Sequence, residues 1–119
     1  MIILDTDHVT VLQFPNRPRF ESLTSRLRAL VDQPIVLTVI TVEEQLRGWL
    51  AKIHQTKSPD DQICPYARLA NMVFFFSRWQ IMPFDKFAVT EFKNLKQQKL
   101  QVGTQDLKIA SIALANGAM

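Results

Sequence analysis

Three short apolar runs, separated by longer segments of helical periodicity, constrain the fold more than any other feature of this sequence. The runs are Ile2-Ile3-Leu4, Ile35-Val36-Leu37 and Ile81-Met82. Apolar runs without polar alternation are typical of strands buried on both faces of a parallel sheet. Parallel neighbours need long crossover connections, which are usually helices. The pattern therefore predicts an α/β fold with a short parallel sheet and helices on both faces.

The segments between these runs carry apolar residues at spacings of three and four, as amphipathic helices do. We expect a short helix over residues 7–14 and a second helix after Pro18, with Leu30 on its apolar face. The helix after the second strand should bury Leu46, Trp49, Leu50 and Ile53. Residues suited to capping precede the later helices, and a glycine suited to ending a helix follows the last one: Thr41, Asp85, Thr104 and Gly117.

Length and composition predict one globular domain over residues 1–119. The chain has 119 residues, of which 47% are hydrophobic, and its net charge of +3 permits contact with a polyanion. The single Cys64 excludes an internal disulfide, and a reducing cytoplasm fits best. We expect neither a signal peptide nor a membrane span, because the first apolar run meets Asp5 early and no apolar stretch approaches ~20 residues.

Three acidic residues are predicted to meet at one edge of the sheet. Asp5 ends the first strand, and Glu44 falls in the first turn of the helix that follows the second strand. Asp106 falls in the first turn of the last helix. The carboxyl edge of a parallel sheet is where open α/β folds place their ligands. Carboxylates that crowd together repel one another unless a cation joins them, and Mg²⁺ or Mn²⁺ prefers such oxygen ligands.

A site of this kind suits phosphoryl transfer. A bound divalent metal ion lowers the pKa of a water molecule, orients it toward a phosphodiester and neutralises charge on the leaving oxygen. No histidine or cysteine nucleophile is required. The residues themselves thus favour a metal-dependent hydrolase that acts on a phosphodiester.

Three segments in order along the chain resemble the motifs of PIN domains, in particular those of VapC-type toxins. They are Leu4-Asp5-Thr6-Asp7-His8, Thr41-Val42-Glu43-Glu44-Gln45-Leu46-Arg47-Gly48 and Gly103-Thr104-Gln105-Asp106-Leu107-Lys108-Ile109-Ala110. The resemblance implies a metal-dependent endoribonuclease, the toxin of a VapBC-like toxin–antitoxin pair, with an RNA substrate, an antitoxin partner and a tendency to dimerise.

The resemblance also implies roles for particular residues. Asp5, Glu44 and Asp106 match the acidic positions that bind the metal ion. Asp7 matches a position where a water-mediated role is expected. Glu44 is preferred to its neighbour Glu43 because it stands four residues before Gly48, as the spacing in the family requires.

One departure from the family sets a second expectation. Such domains normally continue into a fourth strand with a further polar site residue, whereas this chain ends at Met119. We expect the first strand to lose a sheet neighbour, and apolar surface near that strand and the last helix to favour a homodimer or larger assembly, or to require a partner protein that covers it. The alternative function is a truncated, catalytically impaired module that binds an antitoxin or dimerises. A receiver-like phosphoacceptor domain is disfavoured, because Thr38, and not an aspartate, follows the second strand.

Simpler roles stay open for several candidates. Glu44 and Asp106 could be first-turn acids that interact with a helix dipole, and Asp7 could be a helix cap. His8 and His54 fit surface or capping roles. Charged helix faces need no ligand, although the basic residues on them could contact RNA phosphates: Arg17, Arg19, Arg26, Arg28, Lys93, Lys96 and Lys99.

Overall fold

The computed structural model describes residues 1–16, 18–30 and 32–118, so Arg17, Val31 and Met119 lie outside the described residues. No helix in this part of the chain is both long enough and apolar enough to span a membrane. Within the described residues, three strands and six α-helices follow one another. Their order is β1 (Ile2–Ile3), α1 (Thr6–Leu12), α2 (Pro18–Arg28), β2 (Ile35–Thr38), α3 (Val39–Gln55), α4 (Ile63–Phe76), β3 (Ile81–Met82), α5 (Lys86–Gln97) and α6 (Thr104–Ala115), with a short 3₁₀ turn, Asp60–Gln62, before α4.

The three strands form one parallel sheet in the order β1-β2-β3, so β2 is central. Ile2 pairs with Ile35 and Leu37 pairs with Ile81. The predicted α/β class and parallel sheet are confirmed. Strand β1 has a neighbour on one side only within the described residues, as expected.

Two successive residues of β2 belong to two separate cores. Leu37 packs in one core, whose other buried members are Leu4, Val9, Met72 and Phe76. Val36 packs in the other, with Ile40, Met82, Ala88 and Ile112. Successive side chains of a strand point to opposite faces of its sheet. Helices α1 and α4 therefore cover one face and α5 and α6 the other, which confirms helices on both faces.

Three helices begin earlier than predicted. Asp5, and not Asp7, caps α1, and Thr38, and not Thr41, caps α3. Helix α6 begins after Gly103, so Thr104 is its first residue and not its cap. Helices α1 and α3 begin at or just after a strand end, where the last extended residue is the one with capping geometry. The prediction for α5 is confirmed, because the Asp85 carboxylate accepts a 3.0 Å hydrogen bond from the Ala88 N–H.

Some predicted buried positions are exposed. Leu46 and Leu50 are exposed on α3, whose buried residues are Ile40, Thr41 and Ile53. Leu30 lies beyond the end of α2 and is also exposed. Periodicity located these helices, but it could not show which side of each one faces the sheet.

The main exposed apolar surface is not where the sequence placed it. Ile112 of α6 is completely buried, at 0% exposure, although Leu114 is exposed. The larger group of exposed apolar side chains lies on α4, at positions separated by three, seven and one residues, which fall within about 100° of one side of the helix. We call this group the α4 stripe: Ile63, Tyr66, Val73 and Phe74.

Candidate active site

Asp5 lies directly after Leu4, where the chain leaves β1 and turns into α1. Its carboxylate accepts a 3.0 Å hydrogen bond from the backbone N–H of His8 and contacts Nδ1 of the His8 ring at 2.5 Å. Burial alone would raise the pKa of Asp5, but the two hydrogen bonds and the charge of His8 outweigh it and hold the pKa below its ordinary value. Asp5 is therefore an ionised cap, and His8 is its partner.

Glu44 lies beside the residue that follows Asp5. The Thr6 hydroxyl donates a 3.3 Å hydrogen bond to Oε1 of Glu44, 38 residues along the chain. The hydroxyls of Thr6 and the buried Thr41 are 3.2 Å apart. Because the Thr6 hydroxyl donates its one proton to Glu44, the Thr41 hydroxyl is the donor in the contact between the two threonines. These two threonines orient Glu44 toward the start of α1.

The expectation that Glu44 lies in a first helical turn is wrong. Helix α3 begins at Val39, so Glu44 is in its second turn. A favourable helix dipole acts mainly on the first turn. The helix dipole therefore does not explain an acid at position 44. The hydrogen bond from Thr6 gives the Glu44 carboxylate its partner.

Glu43, the adjacent acid to which Glu44 was preferred as the site residue, faces α6. It accepts a 2.9 Å hydrogen bond from the Gln105 amide and one of 2.8 Å from Arg47. The Gln105 hydrogen bond is the main reason that the pKa of Glu43 is lowered, with burial opposing it and the charges of Arg47 and Lys108 assisting. The sequence signal was the spacing of four between Glu43 and Arg47, which is typical of a helical ion pair.

Asp106 is the third residue of α6 and is exposed. Its Oδ2 lies 3.9 Å from the point where a side chain on Gly103 would begin. Within the described part of the chain, its carboxylate has no hydrogen-bonding or ion-pair partner. The hydrogen bond between its neighbour Gln105 and Glu43 nevertheless fixes the start of α6 against α3.

Asp7 is exposed in the first turn of α1 and does not cap it. It lines a shallow depression with Thr10, Val11 and Arg19. The structure thus separates the roles that the sequence left open: Asp5 is the cap, and Asp7 has no part in capping α1.

The fit of these side chains to a metal ion depends on how many donors lie together. Among residues 1–16, 18–30 and 32–118, no group of three or more His, Cys, Asp or Glu side chains is placed to hold one. As the side chains stand, Asp5, Glu44 and Asp106 do not form a three-carboxylate cluster. The donor chemistry still fits Mg²⁺, which is commonly held by one or two carboxylates with water completing its shell. Thr6 connects two carboxylate-bearing positions, because it follows Asp5 in the chain and hydrogen-bonds to Glu44.

Neither a protein-family model nor a curated protein sequence matches the chain. Solved structures do. The crystal structure of VapBC2 from Rickettsia felis bound to a DNA fragment from their promoter matches with a TM-score of 0.70 and 23% identity, covering 99% of this chain and 84% of that one. DNA-bound VapBC from Salmonella typhimurium gives 0.68 and 22%, covering 99% and 83%. FitAcB from Neisseria gonorrhoeae gives 0.64 and 24%, covering 99% and 84%.

The chain has the fold of a chain in these complexes. At identities of 22–24%, the likeness extends to the path of the backbone and not to activity. It agrees with the α/β architecture predicted from the apolar runs.

Proposed function

We propose that this chain is a metal-dependent endoribonuclease and the toxin component of a VapBC-like toxin–antitoxin pair. The observation that carries the proposal is the link between β1 and α3. Asp5 follows β1, and Thr6, the next residue, hydrogen-bonds to Glu44 on α3. Two carboxylate-bearing segments thereby meet at the carboxyl edge of a parallel sheet, where such folds bind ligands.

Each residue around this link has a defined part in the proposal. Asp5 and Glu44 would hold Mg²⁺ or Mn²⁺, which when bound supplies a water molecule of lowered pKa beside the phosphodiester of RNA. The Thr6 hydroxyl, which also contacts that of Thr41, holds the Glu44 carboxylate beside the residue that follows Asp5. The contact with His8 keeps Asp5 ionised. Asp106 and Asp7 would act through water molecules, because within the described residues neither hydrogen-bonds to Thr6 or Glu44 as they do to each other.

The solved structures support the toxin–antitoxin part of the proposal through the fold. Two of those cited are VapBC complexes, the kind of pair that the three sequence motifs also indicate. An antitoxin protein is therefore the proposed partner. The complexes are described as bound to DNA, so DNA binding is the property that an antitoxin-like chain would show in place of RNA cleavage.

Purified protein and single-stranded RNA provide the test. We expect cleavage with Mg²⁺ or Mn²⁺, none in EDTA, and loss of most activity in Asp5→Asn, which preserves both side-chain volume and the capacity to cap α1. Asp61→Asn is the matched control, because Asp61 is exposed on the 3₁₀ turn before α4. Cleavage by Asp5→Asn at the parent rate would refute the assignment. Binding of duplex DNA without RNA cleavage would favour an antitoxin.

A non-catalytic binding module is the second candidate, and the α4 stripe is the observation that favours it. Phe74 is 70% exposed and Ile63 is 66% exposed, which is unusual for large apolar residues on one helix. We propose that a second copy of this chain covers the stripe in a homodimer.

Sedimentation can test the homodimer. Phe74→Ser should shift the protein from dimer to monomer, whereas Phe87→Ser, at a phenylalanine of α5 that is 62% exposed, should not. A parent protein that is monomeric at tens of micromolar would contradict the homodimer. Dissociation by both variants alike would contradict the choice of the stripe as its interface.

A further inference from the structure

A cleft between α1 and α2 opens beside the candidate site. Val11 and Leu23 give it apolar walls, and Ser22 adds a hydroxyl. Arg19 and Arg26 line it from α2, and Arg19 also lines the adjoining depression that contains Asp7. The cleft therefore combines positive charge with a position close to the acidic edge of the sheet.

The two arginines lie on the same side of α2 and are not neutralised. Their seven-residue separation is about two helical turns, or about 10 Å along the axis. Both are exposed. Neither makes an ion pair with any acid in residues 1–16, 18–30 and 32–118, and Asp7 is no exception. Two unpaired guanidinium groups at this spacing suit an extended polyanion better than one small anion, because each can contact a different charge.

His8 connects the cleft with the candidate site. Its ring contacts the Asp5 carboxylate, and the same residue lines the cleft that holds Arg19 and Arg26. A strand lying in the cleft would thus pass beside Asp5. Guanidinium groups match the geometry of phosphate oxygens, and phosphate contacts are what position a nucleic acid strand on a protein.

We propose that Arg19 and Arg26 bind backbone phosphates of single-stranded RNA and lead the strand to Asp5 and Glu44. This inference rests on the proposed ribonuclease function, because it takes RNA as the ligand. It assigns the α1–α2 cleft to substrate binding and leaves the chemistry to the carboxylates. The opposite side of α2 has no such role, although Arg28 there carries the same charge beside Phe20, Glu21, Thr24 and Ser25.

Fluorescence anisotropy with a short labelled single-stranded RNA tests the cleft without cleavage, when EDTA is present throughout. We expect Arg19→Gln/Arg26→Gln to weaken binding at least about fivefold at low salt. The slope of log K against log salt should fall by about 1.4, or about 0.7 for each lost phosphate contact. Arg28→Gln, the matched control, should bind within about twofold of the parent, because its arginine faces away from the cleft. Exposed substitutions of this kind should leave thermal melts nearly unchanged.

The proposal would be overturned if the parent did not bind RNA, or if the double variant bound RNA as tightly as the parent. It would also be overturned if Arg28→Gln weakened RNA binding as much as the double variant does. Arginine-dependent binding of polyglutamate with the affinity of RNA would also overturn it, in favour of an acidic peptide. The readout is independent of the nuclease assignment. If the double variant loses RNA binding but the parent cleaves nothing with Mg²⁺, the cleft proposal stands and the proposed catalysis fails.

Discussion

The side-chain amide of Gln105 donates a 2.9 Å hydrogen bond to the carboxylate of Glu43, 62 residues earlier in the chain. This bond joins the first turn of α6 to α3. It also fixes the start of the helix that carries Asp106 next to the part of α3 that carries Glu44. A pair of polar residues that flank the two predicted site residues thus connects α3 with α6.

Gln105→Ala should raise the pKa of Glu43 toward its ordinary value of 4.5, because the hydrogen bond to Gln105 is the main cause of its depression. A depressed carboxyl pKa stabilises the fold above the ordinary pKa, and this contribution is lost as the pH falls through the folded-state pKa. NMR titration of the Glu43 side chain measures the shift. Gln101→Ala, at an exposed position before α6, is the control. An unchanged Glu43 titration in Gln105→Ala would contradict the contact.

Asp5→Ala should destabilise the protein by about 1 kcal/mol, the usual cost of losing a helix cap. Asp5→Asn should cost less, because asparagine also accepts the hydrogen bond from the His8 N–H. Asp5 has a lowered pKa, so the difference between parent and Asp5→Ala should shrink as the pH falls below the ordinary value of 3.8. Urea unfolding at several pH values checks this. Equal losses in both variants would show that the carboxylate stabilises the fold by some means other than capping.

Asp106→Asn tests whether the last acidic residue responds to metal. Without a three-carboxylate cluster there is little repulsion to relieve, so in metal-free buffer we expect a small loss of stability, about 0.3–1 kcal/mol, from the weakened interaction with the helix dipole. Saturating MgCl₂ should then raise the melting temperature of the parent more than that of the variant. Asp60→Asn, at an exposed residue on the 3₁₀ turn, should respond like the parent. Equal responses in all three proteins would make Asp106 an ordinary first-turn acid.

The glycines at positions 48 and 117 should respond to alanine with opposite signs. Gly48 lies inside α3 with open space around it, so Gly48→Ala should stabilise by about 0.5–1 kcal/mol. Gly117 has a φ of 63° after the end of α6, so Gly117→Ala should destabilise by about 1 kcal/mol. Paired thermal melts measure both. The same sign for the two variants would contradict these backbone conformations.

The strands and the fold class could be predicted because short apolar runs leave few alternatives. Helix starts were harder, because cap-forming residues occur close together, as Asp5 and Asp7 do. Propensity ranks such neighbours about equally, and the strand end decides between them. The directions in which the Glu43 and Glu44 side chains point could not be predicted from the neighbouring sequence either. Adjacent residues on a helix point about 100° apart, and only the packed positions of α1 and α6 show which partner each one meets.

Cys64 is exposed in the first turn of α4, adjacent to Ile63 of the α4 stripe, and it is the one cysteine in the sequence. A maleimide dye would therefore attach at one defined place, without removal of any competing thiol. Its emission would report when the stripe becomes covered. The native chain thus carries its own reporter position for following assembly in solution.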